Sequence, residues 1–177
     1  MNTIKYTKTM AALAAAALLC TGCSDEAAQT ASTANQTDAP AAAQTDTASA
    51  KTIQEVYQEI EQSVSLHSPQ CMDDDFISNY YGIDAASLEE YVFSMSEDAA
   101  QAETIIIMKV KNTDDLEDLT ASLQTVVDEK KNEMENYIPE QFAIVEKSKV
   151  QTKDNYIWLV ISDNADAVTD IIESGLF

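Results

Sequence analysis

Thr104-Ile105-Ile106-Ile107-Met108-Lys109-Val110-Lys111 is the stretch that decides the fold. Its β-branched run predicts a strand. Ile106, Met108 and Val110 face one way, and Lys109 and Lys111 face the other or lie at its end. Asn112 then caps a long helix with Asp114 and Asp115 in its first turn, where negative charge suits the helix dipole. Leu116, Leu119, Leu123, Val126 and Met134 mark that helix's apolar stripe, and Lys130 and Lys131 come late, on the favourable side of the same dipole.

Upstream of that strand, Tyr91, Phe93 and Met95 alternate with Val92 and Ser94, as in a second strand. Ser87-Leu88-Glu89-Glu90 also fits a helix capping box, which leaves the start of this strand open. Ile53, Val56, Tyr57, Ile60 and Val64 recur at helical spacing, giving a first helix near 52–64. Pro69 ends any continuation, and Asp73 to Tyr81 form a short second helix reaching Gly82. Downstream, Pro139 opens a helical turn carrying Phe142 and Val145. Lys149–Thr152 and Tyr156–Ser162 make a hairpin turned by Asp154-Asn155. A last helix begins after Ser162 or Asp163 and uses Val168, Ile171 and Ile172. This order predicts an α+β domain over residues 51–177, with an antiparallel sheet of about four strands in two hairpins and helices packed on one face. Val92, Ile105, Ile107 and one set from Tyr156–Ile161 would then lie uncovered, as a surface for a partner.

The chain of 177 residues carries 31 acidic residues against 10 lysines, and no arginine. Residues 51–177 hold 8 lysines against 27 acids, a net −19. Nucleic acid would be repelled, because affinity for it comes from cations that neutralise phosphates. Attraction to an anionic bilayer surface is disfavoured for the same reason.

The first 22 residues divide into the parts of an export signal. Lys5 and Lys8 give a positive start, Met10 to Leu19 an apolar run too short for a span of about 20 residues. Thr21-Gly22-Cys23 follows and resembles the lipobox of bacterial lipoproteins, although Cys20 stands where leucine is usual. The resemblance implies a diacylglyceryl group on Cys23 Sγ, cleavage after Gly22, and attachment to the outer face of the cell membrane. The competing reading is an ordinary secretory signal cut elsewhere, or an uncleaved anchor. Residues 23–50 read as the lipidated cysteine and a disordered linker, because Ser24 to Ala50 lack aromatics and any aliphatic residue larger than alanine. As a flexible coil that linker spans roughly 30 Å.

Tyr81-Gly82-Ile83-Asp84, Glu89-Glu90-Tyr91-Val92, Glu103 to Lys111, Tyr137-Ile138-Pro139-Glu140-Gln141 and Asn155-Tyr156 to Asp166 resemble the bacterial lipoproteins grouped as domain of unknown function 4358. The likeness covers roughly 52–174. It departs in Leu123 to Asp128, where the family often carries an arginine. It implies a lipid-anchored envelope protein and brings no activity.

Catalytic signals are sparse. The one histidine, His67, lies in the loop Ser65-Leu66-His67-Ser68-Pro69 and reads as solvated. After the signal only Gly82 and Gly175 remain, so phosphate-cradling loops and dinucleotide fingerprints have no residues to build them. One His with one Cys gives no zinc signature. Cys71 reads as a small buried hydrophobe and Trp158 as a half-buried strand residue. Asp73-Asp74-Asp75, and Asp163-Asn164 with Asp166 and Asp170, would attract calcium but fit no EF-hand loop; Asp163 and Asn164 read first as helix caps. The sequence therefore points to a non-catalytic binding or accessory module with no cofactor, working on another envelope protein. The alternative is a solute-binding lipoprotein for a cationic or metal ligand.

Overall fold

The structure, a computed structural model, describes residues 50–177. The leader, Cys23 and the linker up to residue 49 lie outside the described residues. Helix α1 (Ile53–Ser63) starts on Thr52, whose hydroxyl accepts from the Glu55 backbone N–H while Glu55 reaches back, a complete capping box. Strand β1 (Pro69–Cys71) and helix α2 (Asp74–Tyr81) follow. The carboxylate of Asp73 caps α2, and Gly82 ends it at φ 66. The long hairpin comes next, β2 (Leu88–Ser96) with β3 (Thr104–Val110), then helices α3 (Leu116–Met134) and α4 (Pro139–Lys147). Hairpin β4 (Val150–Lys153) with β5 (Tyr156–Ile161) and helix α5 (Ala165–Leu176) complete the order. Asp154, at φ 54, supplies the left-handed residue of the β4–β5 turn.

All neighbouring strands pair antiparallel, in the order β1-β2-β3-β5-β4. Polarity explains why the second hairpin inserts with β5 inward. Five of the six residues of β5 are buried, whereas β4 is Val-Gln-Thr-Lys and tolerates the edge. At the other edge β1 begins with proline, which an edge strand accommodates.

The α+β reading and the two hairpins hold; three details need correction. The sheet has five strands, because Pro69, expected only to end a helix, opens β1 against Ser96 of β2. Helices also cover both faces. Phe93, Ile106, Met108, Ile157 and Leu159 pack under α3 with Val145 of α4 and Ile77 of α2. Val92, Ile105, Ile107, Trp158 and Val160, expected to lie open, pack under Val56, Tyr57 and Ile60 of α1 and Val168, Ile172 and Leu176 of α5. Burying one such side chain contributes about 1.5–3 kcal/mol. Leaving five wet would forgo on the order of 10 kcal/mol, comparable to the whole stability of a domain. The Ser87–Glu90 capping box is not formed either, since Leu88 already belongs to β2.

The layer of α1 and α5 depends on close approach at one residue. A Cβ on Gly175 would lie 2.6 Å from Cγ2 of the fully buried Val56. Gly175→Ala is therefore expected to destabilise the chain by about 1–3 kcal/mol through overpacking. Adding Val56→Ala should recover part of that loss, so the double variant falls short of the summed single effects in urea unfolding.

Beneath α1, the Tyr57 hydroxyl donates to Ser94 Oγ at 2.7 Å. Burial pushes its pKa up to about 12, with the Ser94 hydrogen bond acting in the opposite sense. The fold favours the neutral phenol, so this stabilisation is complete below the unfolded value of about 10 and is lost as pH climbs towards 12. Urea midpoints should fall over that interval, and less steeply in Tyr57→Phe.

Candidate functional site

The register of the sheet builds the site. Thr104 lies opposite Ile161 in the β3–β5 pair, so Glu103 and Ser162 are the next residues on their strands. By alternation both point to the face covered by α1 and α5. Ser162 Oγ donates to Glu103 Oε2 at 3.3 Å and lies 3.4 Å from Asp163 Oδ1. Both separations exceed the usual O–H···O range of about 2.5–3.0 Å, so the hydroxyl holds neither carboxylate tightly. Asn164 fixes the corner, its backbone N–H donating to Ser162 Oγ at 3.1 Å and its side-chain amide to Asp163 Oδ1 at 2.9 Å.

The third wall is the loop between α1 and β1. Ser68 adopts φ 47 there, turning the chain back over the start of β3. Ser96 Oγ donates to the His67 carbonyl at 2.6 Å, and the Glu97 N–H donates to the Ser68 carbonyl at 3.0 Å. So held, the His67 N–H donates to Glu103 Oε1 at 2.7 Å, and its ring Nδ1 stands 3.3 Å from Glu103 Oε2. One ligand-capable atom from each of His67, Glu103 and Asp163 falls within 4.8 Å of the others.

Glu103 is 6% exposed and is the one buried carboxylate among the described residues. A carboxylate is rarely buried without a partner. Its single ion-pairing neighbour there is His67, whose side chain is 43% exposed. The lysine pairs, Lys51–Glu59, Lys109–Glu89 and Lys130–Glu133, lie elsewhere with exposed carboxylates. The cluster adjoins a groove of about 610 Å³ between the end of α4, the β4 edge and the start of α5, lined by Lys147, Lys149, Gln151, Ser162, Asp163 and Asp166 among others.

His67, read from sequence as a solvated loop residue, keeps an exposed ring but is anchored at both its backbone N–H and Nδ1. Glu103 opens one of the stretches that resemble the family, but no local pattern marks it as a site, and only the register gives it partners. Asp163 and Asn164, read as caps, make no side-chain cap bond to α5 and face the cluster instead. Asp73 caps α2 and Asp74 accepts from the Tyr91 hydroxyl, so the Asp73–Asp75 run is used structurally. Cys71 is exposed on β1 rather than buried. Desolvation of its sulfur, with the nearby Glu61 carboxylate, raises its pKa and keeps it a weakly nucleophilic thiol. Trp158 is fully buried rather than half-buried, against Phe177, and its Nε1 has no hydrogen-bond partner.

Residues 62–162, more than half of the chain, match the model of the family described as Domain of unknown function (DUF4358). The chain belongs to this family. The matched span is narrower than the likeness read from sequence; it begins late in α1 and ends at Ser162, before α5. No curated protein and no solved structure matches the chain. Among the described residues, no helix is long and apolar enough to cross a membrane.

Removing the buried carboxylate tests how far the cluster holds this end of the sheet. Glu103→Ala leaves the His67 N–H and the Ser162 hydroxyl without their acceptor and should cost about 1–3 kcal/mol in urea unfolding. Glu103→Gln keeps an oxygen for the His67 N–H and should cost less.

Proposed function

We propose that this DUF4358 member is a lipid-anchored, extracytoplasmic accessory protein that binds its ligand and does not transform it. The observation that supports the reading is the convergence of His67, Glu103, Ser162 and Asp163 beside an open groove. An acyl-transfer serine needs a base positioned to take its proton. Ser162 directs its hydroxyl to carboxylate oxygens, and the His67 ring stands against Glu103. The groove offers both signs of charge, Lys147 and Lys149 across from Asp163 and Asp166, which suits a polar ligand or a charged segment of a partner. With the second sheet face covered, the reading rests on this groove and not on that face.

The placement outside the membrane rests on Thr21-Gly22-Cys23 and on the long polar linker behind it. Two acyl chains on Cys23 satisfy the requirement that stable anchoring takes more than one lipid. A linker of roughly 30 Å would let the domain reach a neighbouring envelope protein.

Membrane fractionation of the native host tests the anchor: Cys23→Ser should move the protein from the membrane to the soluble fraction. A photo-crosslinker at Gln151, on the groove, should capture a discrete envelope partner or ligand that the same group at the distant Glu59 does not. Retention of Cys23→Ser in the membrane overturns the anchor, and identical capture from both positions overturns the groove.

A further inference from the structure

Glu103 presents a physical problem that the protein atoms leave half solved. Its Oε1 accepts a short bond from the His67 N–H, but Oε2 has only a ring nitrogen at 3.3 Å and a loosely placed hydroxyl at 3.3 Å. In a chain whose residues 51–177 carry a net −19, no lysine reaches it. A buried oxygen so placed is aimed at a cation. The spacing agrees: around a tetrahedral ion with bonds of about 2.0–2.1 Å, ligand atoms stand about 3.3–3.4 Å apart. The Nδ1–Oε2 separation, 3.3 Å, already has that value. The whole set spans 4.8 Å, and the side chain that must swing in is Asp163, which is exposed and held by the Asn164 amide at 2.9 Å.

Resting on the binding reading above, we propose that His67 Nδ1, Glu103 Oε2 and an Asp163 carboxylate oxygen hold one divalent transition-metal ion of the zinc class. A neutral imidazole with two carboxylates balances a 2+ charge, so the ion removes the uncompensated charge buried at Glu103. The imidazole selects against calcium and magnesium, which prefer sets made wholly of oxygen. Three protein ligands leave a coordination position towards solvent, where water or a donor atom from the groove's ligand completes the site. Ser162 Oγ, 3.3 Å from Glu103 Oε2 and 3.4 Å from Asp163 Oδ1, stands between the two carboxylates. The sequence shows none of this as a motif, because the ligands lie at positions 67, 103 and 163 and meet only through the β3–β5 register.

The test is a zinc titration of the full chain in detergent, in competition with a chromophoric chelator. One equivalent should bind, and excess calcium should not displace it. His67→Ala and Asp163→Asn should each weaken binding at least about a hundredfold, since even outer-shell changes cost about 10–100-fold. Cys71→Ser should bind as the parent chain does. Because His67 is the only histidine, the unaltered chain gives a second readout that no folding defect can confuse. Zinc should protect that imidazole from diethylpyrocarbonate, read as loss of the single histidine adduct by mass spectrometry. Unchanged affinity in both variants, displacement by calcium, or an unprotected His67 overturns the site. The Cys23→Ser chain should give the same result in both measurements, and neither needs a partner, so failure here is distinct from failure of the anchoring and capture experiments.

Discussion

The fold depends on two strands, β3 and β5, that are apolar on both faces. Ile105, Ile106, Ile107 and Met108 are consecutive, and all are buried, as are Ile157 through Ile161. An antiparallel sheet with one wet face alternates apolar and polar residues, and these strands do not. Once such a pair sits at the centre, the rest of the chain is constrained to supply two helical layers. The layers divide unevenly along the sequence. The single run between β3 and β4 provides α3 and α4 for one face. The other face is closed by helices from the two ends of the described chain, α1 and α5, fastened where the Lys51 N–H donates to the Gly175 carbonyl at 2.9 Å.

That division explains what the sequence disclosed and what it withheld. Helices α1, α3 and α5 were legible because each carries an apolar stripe at helical spacing, and the second hairpin because Asp154-Asn155 interrupts two β-prone runs. The two-sided burial was written in the same residues: the uninterrupted run Ile105–Met108 is the mark of a strand covered twice. Of the two readings of Lys109 and Lys111, a polar face or the strand's end, the second holds: Lys109 lies near the end of β3, paired with Glu89 and set over the Tyr156 ring. Strand β1 was hidden for another reason. Three residues beginning with proline have no periodicity to detect, and they become a strand only because β2 offers a free edge.

The site was legible in part. His67 and Asp163 stood out by residue type, but solvation and helix capping explained each of them alone. Glu103 was invisible, because one acid among 31 carries no information until the register places it opposite Ser162. Long-range pairing specified this site, and local pattern does not encode long-range pairing.

The acid surplus sharpens the meaning of that one residue. Surface carboxylates are inexpensive for a protein: water and salt screen them, and they keep the chain soluble. The described acids other than Glu103 are of this kind, exposed or partly exposed. Placing a carboxylate under α1 and α5 at 6% exposure is different, because desolvation there costs several kcal/mol unless opposite charge or good hydrogen bonds compensate. The loop of α1 is bent through a left-handed serine to bring His67 against this carboxylate, and the start of α5 leaves its own cap unmade while Asp163 faces the same point. Three local departures from the most stable arrangement converge within a few ångströms of one another, and they are what the proposed cation site rests on.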